Sequence, residues 1–423
     1  MTLKERLPAL ASKDYRLWFF GQGISVVGTW LQNTGQAWLV LRLTNSPFML
    51  GLISTIQYLP SLLLSLFIGP LLDRYPKRSI LIVTQILFSL AALILAVLAF
   101  NPNVQYWHIL AVAAFTGIVT AVDWPTRQSF VAEQVGERSL VVNAVALNST
   151  IFNIARVLGP AIGGILIATI RLPWTFLFNA GSYIAVITSL CFMKAGRNPR
   201  AKGGNFKREL RAGLSYIRKE KRIMLILIMI GFFSLFLMNL NILIPSFANL
   251  TLGLSADRYG LLMSAMGFGS MMAGIIMSLS GEKLVPSPRL ILIAGFILAF
   301  AMVLTGLQKN FMLSAILLAA CGFGMSSFAT LCNTSVQILS TDEMRGRVMS
   351  AYNLLFVGST PIGSLYCGKV SESFGVNAGF WISGVLGLLF LVIVSLFIFP
   401  RVFASVSNFV LDGKQRDSTE SPN

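Results

Sequence analysis

Residues 79–99 read SILIVTQILFSLAALILAVLA, a stretch without a single charged side chain. A helix of about 20 such residues spans the roughly 30 Å hydrocarbon core of a bilayer. Comparable charge-poor stretches recur along the whole chain, which predicts an all-α membrane protein with twelve transmembrane helices. We place these spans, numbered one to twelve, at residues 17–41, 47–72, 79–99, 106–126, 141–170, 173–193, 223–249, 257–280, 289–307, 311–334, 348–368 and 376–399.

The composition of the 423-residue chain supports the same prediction. Hydrophobic residues make up 55% of the chain and charged residues 12%, whereas a soluble domain has about 25% charged residues. This balance excludes a soluble enzyme, a secreted disulfide scaffold and an ordinary nucleic-acid binder, although the formal net charge is +17. The four cysteines lie inside apolar spans without metal-ligand spacing, so we expect no disulfide, no metal site and no cofactor.

Basic residues cluster in the loops on one side of the predicted spans. The longest of these loops, 194–222, holds eleven Lys and Arg against Glu209 and Glu220. By the positive-inside rule, these loops and both termini are cytoplasmic. We expect membrane lipids with anionic headgroups as partners of this loop, and no nucleic acid; a nucleic-acid or protein partner is the alternative. An interfacial aromatic belt is predicted at the outer span ends by Trp38, Trp107, Trp174 and Trp381.

The basic loop divides the spans into two sets of six. We therefore predict two pseudo-symmetric six-helix bundles at 1–193 and 223–399, a linker at 194–222 and a cytoplasmic tail at 400–423. Weak sequence similarity between the glycine-proline motifs of spans five and eleven agrees with this division. Glycines four residues apart leave one helix face bare, so a neighbouring backbone can approach closely. The helix-packing motif comprises Gly159, Pro160, Gly163, Gly164, Pro361 and Gly363.

Span one carries polar side chains at helical spacing on an otherwise apolar segment. Hydrocarbon offers no hydrogen bonds, so this face must meet other helices or a wet cavity. Hydrogen bonding between helices is the ordinary role of such residues, but six on one face favour a substrate cavity. They are Gln22, Ser25, Thr29, Gln32, Asn33 and Gln36.

Arg156 lies midway along span five, on one helix face with Ser149 and Asn153. An ionisable residue at this depth costs about 3 kcal/mol or more unless it faces a partner or water. Either Arg156 attracts an anionic group of a small-molecule substrate, or neighbouring carbonyls or Asp123 satisfy it. The sequence leaves these two alternatives open.

The loop between spans two and three reads GPLLDRYPKR at 69–78 and places one carboxylate among three cations. Such a cluster can break and re-form as helices slide, so it predicts a conformational latch. The loop resembles the signature loop of the major facilitator superfamily. That resemblance implies that the aspartate caps a helix of the other half and that the cations pair with an acid in span four. The latch residues are then Gly69, Asp73, Arg74, Lys77, Arg78, Asp123 and Arg127.

Three segments, DWPTRQ at 123–128, NAVALN at 143–148 and RGRVMS at 345–350, resemble the bacterial branch of this superfamily that contains the enterobactin exporter and macrolide efflux relatives. The resemblance implies the major facilitator fold and the export of a small amphipathic molecule, a siderophore or drug, across the inner membrane by alternating access. We expect a monomer without enzymatic activity. Spans one, four, seven and ten line the pathway in the superfamily, which adds three candidates for the cavity: Phe232, Phe236 and Asn239. Aromatic residues at this spacing are otherwise more typical of packing.

Protons are the coupling ion that the superfamily implies, but the sequence shows no carrier for them. Ala113 stands where the superfamily places an arginine four residues before Gly117, and Asp123 is the one acid clearly inside a span. A lipid or lysophospholipid translocator of the same fold is the alternative within the class. A polytopic membrane enzyme would need clustered His, Asp or Glu, which this sequence lacks, and a channel would not need a kinked span five.

Overall fold

A computed structural model describes residues 8–72, 75–134, 138–193, 206–280 and 287–398, and all of its regular structure is helical. A short 3-10 helix at Pro8–Ala11 precedes the long helices of the first half. These are α1 (Lys13–Thr44), α2 (Pro47–Leu72), α3 (Lys77–Phe100), α4 (Tyr106–Gln134), α5 (Arg138–Thr169) and α6 (Pro173–Phe192).

The second half begins with a helix inside the predicted linker, α7 (Phe206–Lys219). Its remaining helices are α8 (Lys221–Phe236), α9 (Leu240–Ser246), α10 (Ala256–Ser280), α11 (Pro288–Gly306), α12 (Phe311–Leu339), α13 (Asp342–Phe356), α14 (Thr360–Phe374) and α15 (Val376–Ile393). Two π-helical turns, Phe247–Thr251 and Val394–Ile398, extend α9 and α15.

Within the described residues, ten helical segments are long and apolar enough to cross a membrane. Helix α1 is not among them, although it has 32 residues, and its polar face explains this. The predicted span eleven, 348–368, is not one helix, because α13 and α14 are separated at 357–359. Pro361 has no N–H to donate to the carbonyl of Val357, which would be needed for a continuous helix, and it suits the first turn of a new one. The protein is therefore an all-helical, multi-pass membrane protein with ten apolar membrane-spanning segments in the described ranges.

Span seven is also interrupted, between α8 and α9. Asn239 lies in the break, and its Nδ2 donates to the carbonyls of Leu235 at 2.9 Å and Ser234 at 3.3 Å. A side chain that occupies these carbonyls competes with the backbone N–H groups that would continue the helix. The break therefore has a local cause in the sequence.

The exposed surface of α3 fits hydrocarbon. Val83, Ile86, Leu90 and Val97 expose 48–69% of their area along one side of the helix, while Leu95 on the other side is buried. Water would oppose so large an exposed apolar strip, whereas lipid tails would not.

Packing within the first half relies on small residues. Helix α1 packs on α5 and α6, and α3 packs on α4 and α6. Gly21, Gly28 and Gly35 recur every seven residues along α1, and a Cβ at each would lie 2.3–2.5 Å from a hydroxyl of α6. These glycines therefore allow α1 and α6 to approach at a distance that no larger residue would permit.

The second half packs α12 against both α10 and α11, and α11 against α15. Two helix pairs join the halves to each other: α5 with α10, and α2 with α14. Helix α9 adds smaller contacts to α1 and α2. These pairs define the interface on which the candidate site lies.

Candidate functional site: the interface between the two halves

The two ends of the helical bundle are distinguished by their loops. We call the end that holds the loops 45–46, 101–105, 170–172, 252–255 and 307–310 the far face. The opposite end, where α6 ends and α7 begins, is the linker face.

Helices α2 and α14 join the halves near the far face. The Ser46 hydroxyl donates to Glu372 Oε2 at 2.9 Å, and Thr55 Oγ1, about two and a half turns further in, donates to the Pro361 carbonyl at 2.8 Å. A Cβ at Gly51 would lie 2.4 Å from the Ser364 carbonyl. The two backbones therefore approach closely here, and these two hydrogen bonds connect the helices across the interface.

Helices α5 and α10 join the halves on the other side of the molecule. Ser264 Oγ donates to the Val157 carbonyl at 2.6 Å. A Cβ at Gly260 would lie 2.4 Å from the Pro160 carbonyl, and one at Gly164 would lie 2.5 Å from the Ala256 carbonyl. Both glycines are required for this approach, because the clashing atoms belong to backbone that cannot rotate away.

The other residues of the predicted helix-packing motif lie at neighbouring contacts. A Cβ at Gly159 would lie 2.3 Å from the Cβ of Trp30, and one at Gly163 would lie 3.4 Å from Leu31, both on α1. Helix α5 is thus held between α1 and α10. In the second half, a Cβ at Gly363 would lie 2.6 Å from the carbonyl of Leu235, at the break between α8 and α9.

Two aromatic side chains close the interface near the far face, a role that the sequence analysis predicted for neither of them. Trp38 of α1 stacks on Tyr259 of α10, with ring centroids 5.5 Å apart and an interplanar angle of 11°. Trp38 is only 7% exposed, so its assignment to an interfacial belt is wrong, whereas Trp107, Trp174 and Trp381 expose 40–64%. Burial between two halves gives no signal in a single sequence, which explains the error.

The polar face of α1 divides into bonded and open positions. Gln32 Oε1 accepts from Asn179 Nδ2 of α6 at 2.7 Å, and Gln22 Oε1 accepts from Arg127 Nη1 of α4. Ser25 and Gln36 are buried, and Thr29 donates to the Ser25 carbonyl of its own helix at 2.9 Å. Asn33 alone of the six is exposed.

Asp123 is the centre of a buried polar cluster between α3 and α4. Its carboxylate pairs with Arg127, one turn along the same helix, at 2.8 Å. Oδ1 accepts from Thr84 Oγ1 at 2.7 Å and from Gln85 Nε2 at 2.8 Å. The Arg127 guanidinium also lies 5.6 Å from the Trp18 ring centroid. Both charges are therefore compensated within the first half.

This cluster differs from the predicted latch. Arg78 Nη2 donates to the carbonyl of Cys191 at the end of α6, at 2.8 Å, and not to Asp123. Lys77 begins α3, and Gly69 lies in the last turn of α2. The other two predicted latch residues, Asp73 and Arg74, lie outside the described residues.

Arg156 lies where α1, α5 and α10 meet. Its guanidinium carbon is 5.6 Å from the centroid of the Trp30 ring, and its carbonyl lies 2.6 Å from the position of a Cβ on Gly267. The Nε atom is buried without a hydrogen-bond partner among the described residues. Asp123 does not satisfy Arg156, because that carboxylate is occupied by Thr84, Gln85 and Arg127.

The neighbours of Arg156 on α5 extend towards the linker face. Ser149 is exposed and Asn153 is half-buried. A Cβ on Gly274 of α10 would lie 3.6 Å from Asn153 Nδ2, so this amide also borders both halves. Arg156 and Asn153 are thus polar residues of α5 on the side of this helix that meets α10.

The aromatic residues of span seven are engaged within the second half. Phe232 stacks on Phe390 of α15, with centroids 4.0 Å apart and an angle of 6°. Phe236 meets Tyr366 of α14 edge-on at 4.9 Å. Asn239 is buried and bonds to its own helix, as described above. These contacts are those of a packed helix junction.

Comparison with known proteins identifies the family. Residues 6–410 match the family MFS_3, described as transmembrane secretion effector. The chain is 26% identical to the staphyloferrin A transporter of Staphylococcus aureus, covering 88% of this chain and 92% of that protein. It is 23% identical to macrolide efflux protein A of Streptococcus pyogenes, with coverage of 88% and 93%. Identity to the enterobactin exporter EntS of Escherichia coli is 24%, with coverage of 89% and 92%.

The fold agrees with this match. The structure is similar to that of a bacterial homologue of the human lysosomal transporter Spinster, with a TM-score of 0.71 and 13% identity over 90% of this chain and 95% of that one. The resemblance to the major facilitator superfamily that the sequence predicted is thus confirmed. Because the family match extends over nearly the whole chain, the protein belongs to the transmembrane secretion effectors of the major facilitator superfamily and is a membrane transporter.

Proposed function

We propose that the protein exports a small, amphipathic organic molecule with an anionic group, a siderophore or a drug, across the bacterial inner membrane. Relatives named for staphyloferrin A, enterobactin and macrolide transport support a cargo of this size and kind. The twelve predicted spans form two six-helix bundles, 1–193 and 223–399, that rock about the interface between the halves. Both termini lie in the cytoplasm, and the chain acts as a monomer.

The observation that carries this proposal is the environment of Arg156. A guanidinium always carries its charge, and an ionised group at mid-membrane costs about 3 kcal/mol or more without a partner. Here its Nε has no hydrogen-bond acceptor among the described residues, and its polarisable neighbour is the Trp30 ring. An anionic group of the cargo would supply the missing acceptor, and the indole face would contact its apolar part.

The state of the interface agrees with alternating access. The cross-half hydrogen bonds and glycine contacts described above lie between the far face and the middle of α5 and α2. If the linker face is cytoplasmic, as the basic loops predict, this is the conformation closed towards the periplasm. In that state Arg156 would receive cargo from the cytoplasm, and proton entry from the periplasm would drive the return step.

Transport measurements with an arginine variant test the proposal. Purified protein in proteoliposomes with a pH gradient is tested with staphyloferrin A, enterobactin, a macrolide and a lysophospholipid. We expect gradient-dependent movement of staphyloferrin A, a polycarboxylate, and we expect Arg156→Gln to reduce it at least tenfold, while movement of the macrolide, which has no anionic group, is affected much less. Arg258→Gln is the matched control, because Arg258 also lies over an aromatic ring, Phe311 at 5.8 Å, but at the far face.

Three results would contradict the proposal. No gradient-dependent movement of any amphipathic compound would refute proton-coupled export. Equal loss of staphyloferrin A and macrolide movement in Arg156→Gln would assign this arginine to the structure of the interface. Preferential movement of lysophospholipid would assign the protein to lipid translocation.

A further inference from the structure

Helix α7 is docked on the second half and is not an extended tether. Ile217 is buried in the main hydrophobic core. The Tyr216 hydroxyl accepts a hydrogen bond from the Thr341 N–H at 3.3 Å, and a Cβ at Gly213 would lie 3.1 Å from the Cβ of Arg347 on α13. One edge of α7 is therefore fixed against the loop and helix that follow α12.

The opposite edge of α7 is exposed and basic. Its side chains line an open groove of about 470 Å³ on the surface of the protein. They recur at i, i+3, i+4, i+7 and i+8, which places them on one side of a helix. The lining residues are Arg211, Leu214, Ser215, Arg218 and Lys219.

The charge of this edge has little compensation nearby. Its three cations are Arg211, Arg218 and Lys219, and no acid lies between residues 211 and 219, the nearest in sequence being Glu209 and Glu220. The neighbouring helix α13 does contain acids, but its Asp342 pairs with Arg345 of the same helix at 2.7 Å. Arg211, Arg218 and Lys219 thus present a concentrated positive surface to whatever lies beside them.

The height of the groove along the membrane normal is fixed by the next helix. The apolar segment that can cross a membrane begins at Lys221, two residues after Lys219. The groove therefore lies at the level where the hydrocarbon ends and lipid phosphates begin. Leu214 is 48% exposed between the cations, an arrangement that suits a molecule with an anionic head and an apolar chain.

We propose that the basic edge of α7 binds the phosphodiester headgroup of an anionic phospholipid. The guanidinium groups of Arg211 and Arg218 and the ammonium of Lys219 would contact the phosphate oxygens, and the Ser215 hydroxyl would donate a further hydrogen bond. Leu214 would contact the first methylene groups of an acyl chain. Because α7 is docked on α13, a bound lipid ties the second half to one leaflet. This inference does not depend on the identity of the cargo.

Native mass spectrometry of the full-length protein with equimolar phosphatidylglycerol and phosphatidylcholine tests the proposal. We expect the wild type to retain phosphatidylglycerol preferentially. Neutralising the edge with Arg211→Gln, Arg218→Gln and Lys219→Gln should lower that preference at least tenfold. The matched control neutralises three exposed cations of the far face, Arg42→Gln, Lys309→Gln and Lys369→Gln, and should leave it unchanged.

Three additional measurements separate the lipid from other ligands and from misfolding. Thermal unfolding of the triple variant should match that of the wild type, and a variant with Arg211→Lys and Arg218→Lys should keep most of the preference. Soluble glycerophosphoglycerol, which has the headgroup but no chains, should not compete.

The proposal is overturned if the folded triple variant retains phosphatidylglycerol as the wild type does, or if the far-face control loses as much. Equal binding of both lipids by the wild type would also overturn it. Displacement by the chain-free headgroup or by a short RNA would assign the edge to a water-soluble partner instead.

Discussion

The contact between α5 and α10 depends on glycines, and enlarging one of them should open the far face. In the structure a Cβ at Gly260 would lie 2.4 Å from the Pro160 carbonyl oxygen and 3.0 Å from the Cα of Gly164. These partners belong to the other half of the protein, so the clash exists only while the halves are in contact. Within α10 itself alanine is the better helix former, by about 1 kcal/mol. Gly260→Ala should therefore fold well and still disfavour closure.

The size of the effect follows from the packing distances. Overpacking of a close contact costs about 1–3 kcal/mol, and about 1.4 kcal/mol changes an equilibrium constant tenfold. We expect the ratio of far-face-closed to far-face-open protein to fall by roughly 5- to 150-fold. A tenfold starting excess of closed protein would fall to between about twofold closed and about fifteenfold open, and a hundredfold excess to between about twentyfold closed and near balance.

Distances between spin labels across the far face measure this ratio. Labels at Arg42 and Lys309 lie on different halves in exposed far-face positions, and the exposed Cys191 is replaced by serine beforehand. The distance distribution of Gly260→Ala should shift to longer values. Gly181→Ala is the matched control, because a Cβ there has nothing within 4 Å. Identical distributions for wild type and Gly260→Ala would refute the reasoning.

Two further predictions follow from the buried polar cluster and the cysteines. Asp123→Asn leaves the charge of Arg127 uncompensated and should lower the free energy of unfolding by about 3–5 kcal/mol. Asp342→Asn breaks the exposed pair with Arg345 and should lower it by only about 0–1 kcal/mol. Thermal unfolding in detergent measures both variants, and equal losses would contradict the assignment of Asp123 to a buried ion pair. Among the cysteines, Cys191 is exposed and the other three are buried, so a maleimide should modify one site per native chain. A membrane-impermeant maleimide should react with everted vesicles and not with intact cells, and the opposite result would place the linker face outside.

The sequence predicted the apolar helices well because their signal is local. A bilayer requires about 20 apolar residues in a row, and this requirement does not depend on what the helix packs against. The interruptions were harder to predict. Asn239 and Pro361 both lie inside apolar stretches. Only the structure shows that the Asn239 side chain caps the end of α8 and that Pro361 lies in the first turn of α14. Hydropathy averages over such breaks.

Contacts between helices could be predicted only in part. The helical spacing of polar residues on α1 correctly places them on one face, but the same spacing fits a cavity and an interhelical seam. The structure assigns Gln22 and Gln32 to the seam and leaves Asn33 exposed. The pair of Asp123 with Arg127 has the i, i+4 spacing of a helical ion pair, which was visible in the sequence. The resemblance to the signature loop instead implies that Asp123 pairs with cations of the loop 69–78.

The closed far face is held by contacts of modest strength, which suits a transporter. Ser46, Thr55 and Ser264 each donate one hydrogen bond across the interface. The two bonds to carbonyls contribute about 1 kcal/mol each, and the bond to the Glu372 carboxylate about 1.5–3 kcal/mol. A transporter must reverse its conformation with a binding energy of similar size, because a ligand shifts an equilibrium only by its differential affinity for the two states. Arg156 lies on α5 directly against Gly267 of α10, so a cargo bound there contacts the same helix pair that holds the far face closed. The proposed binding group and the closure are thus adjacent along one helix, and a small displacement of α5 from α10 would affect both.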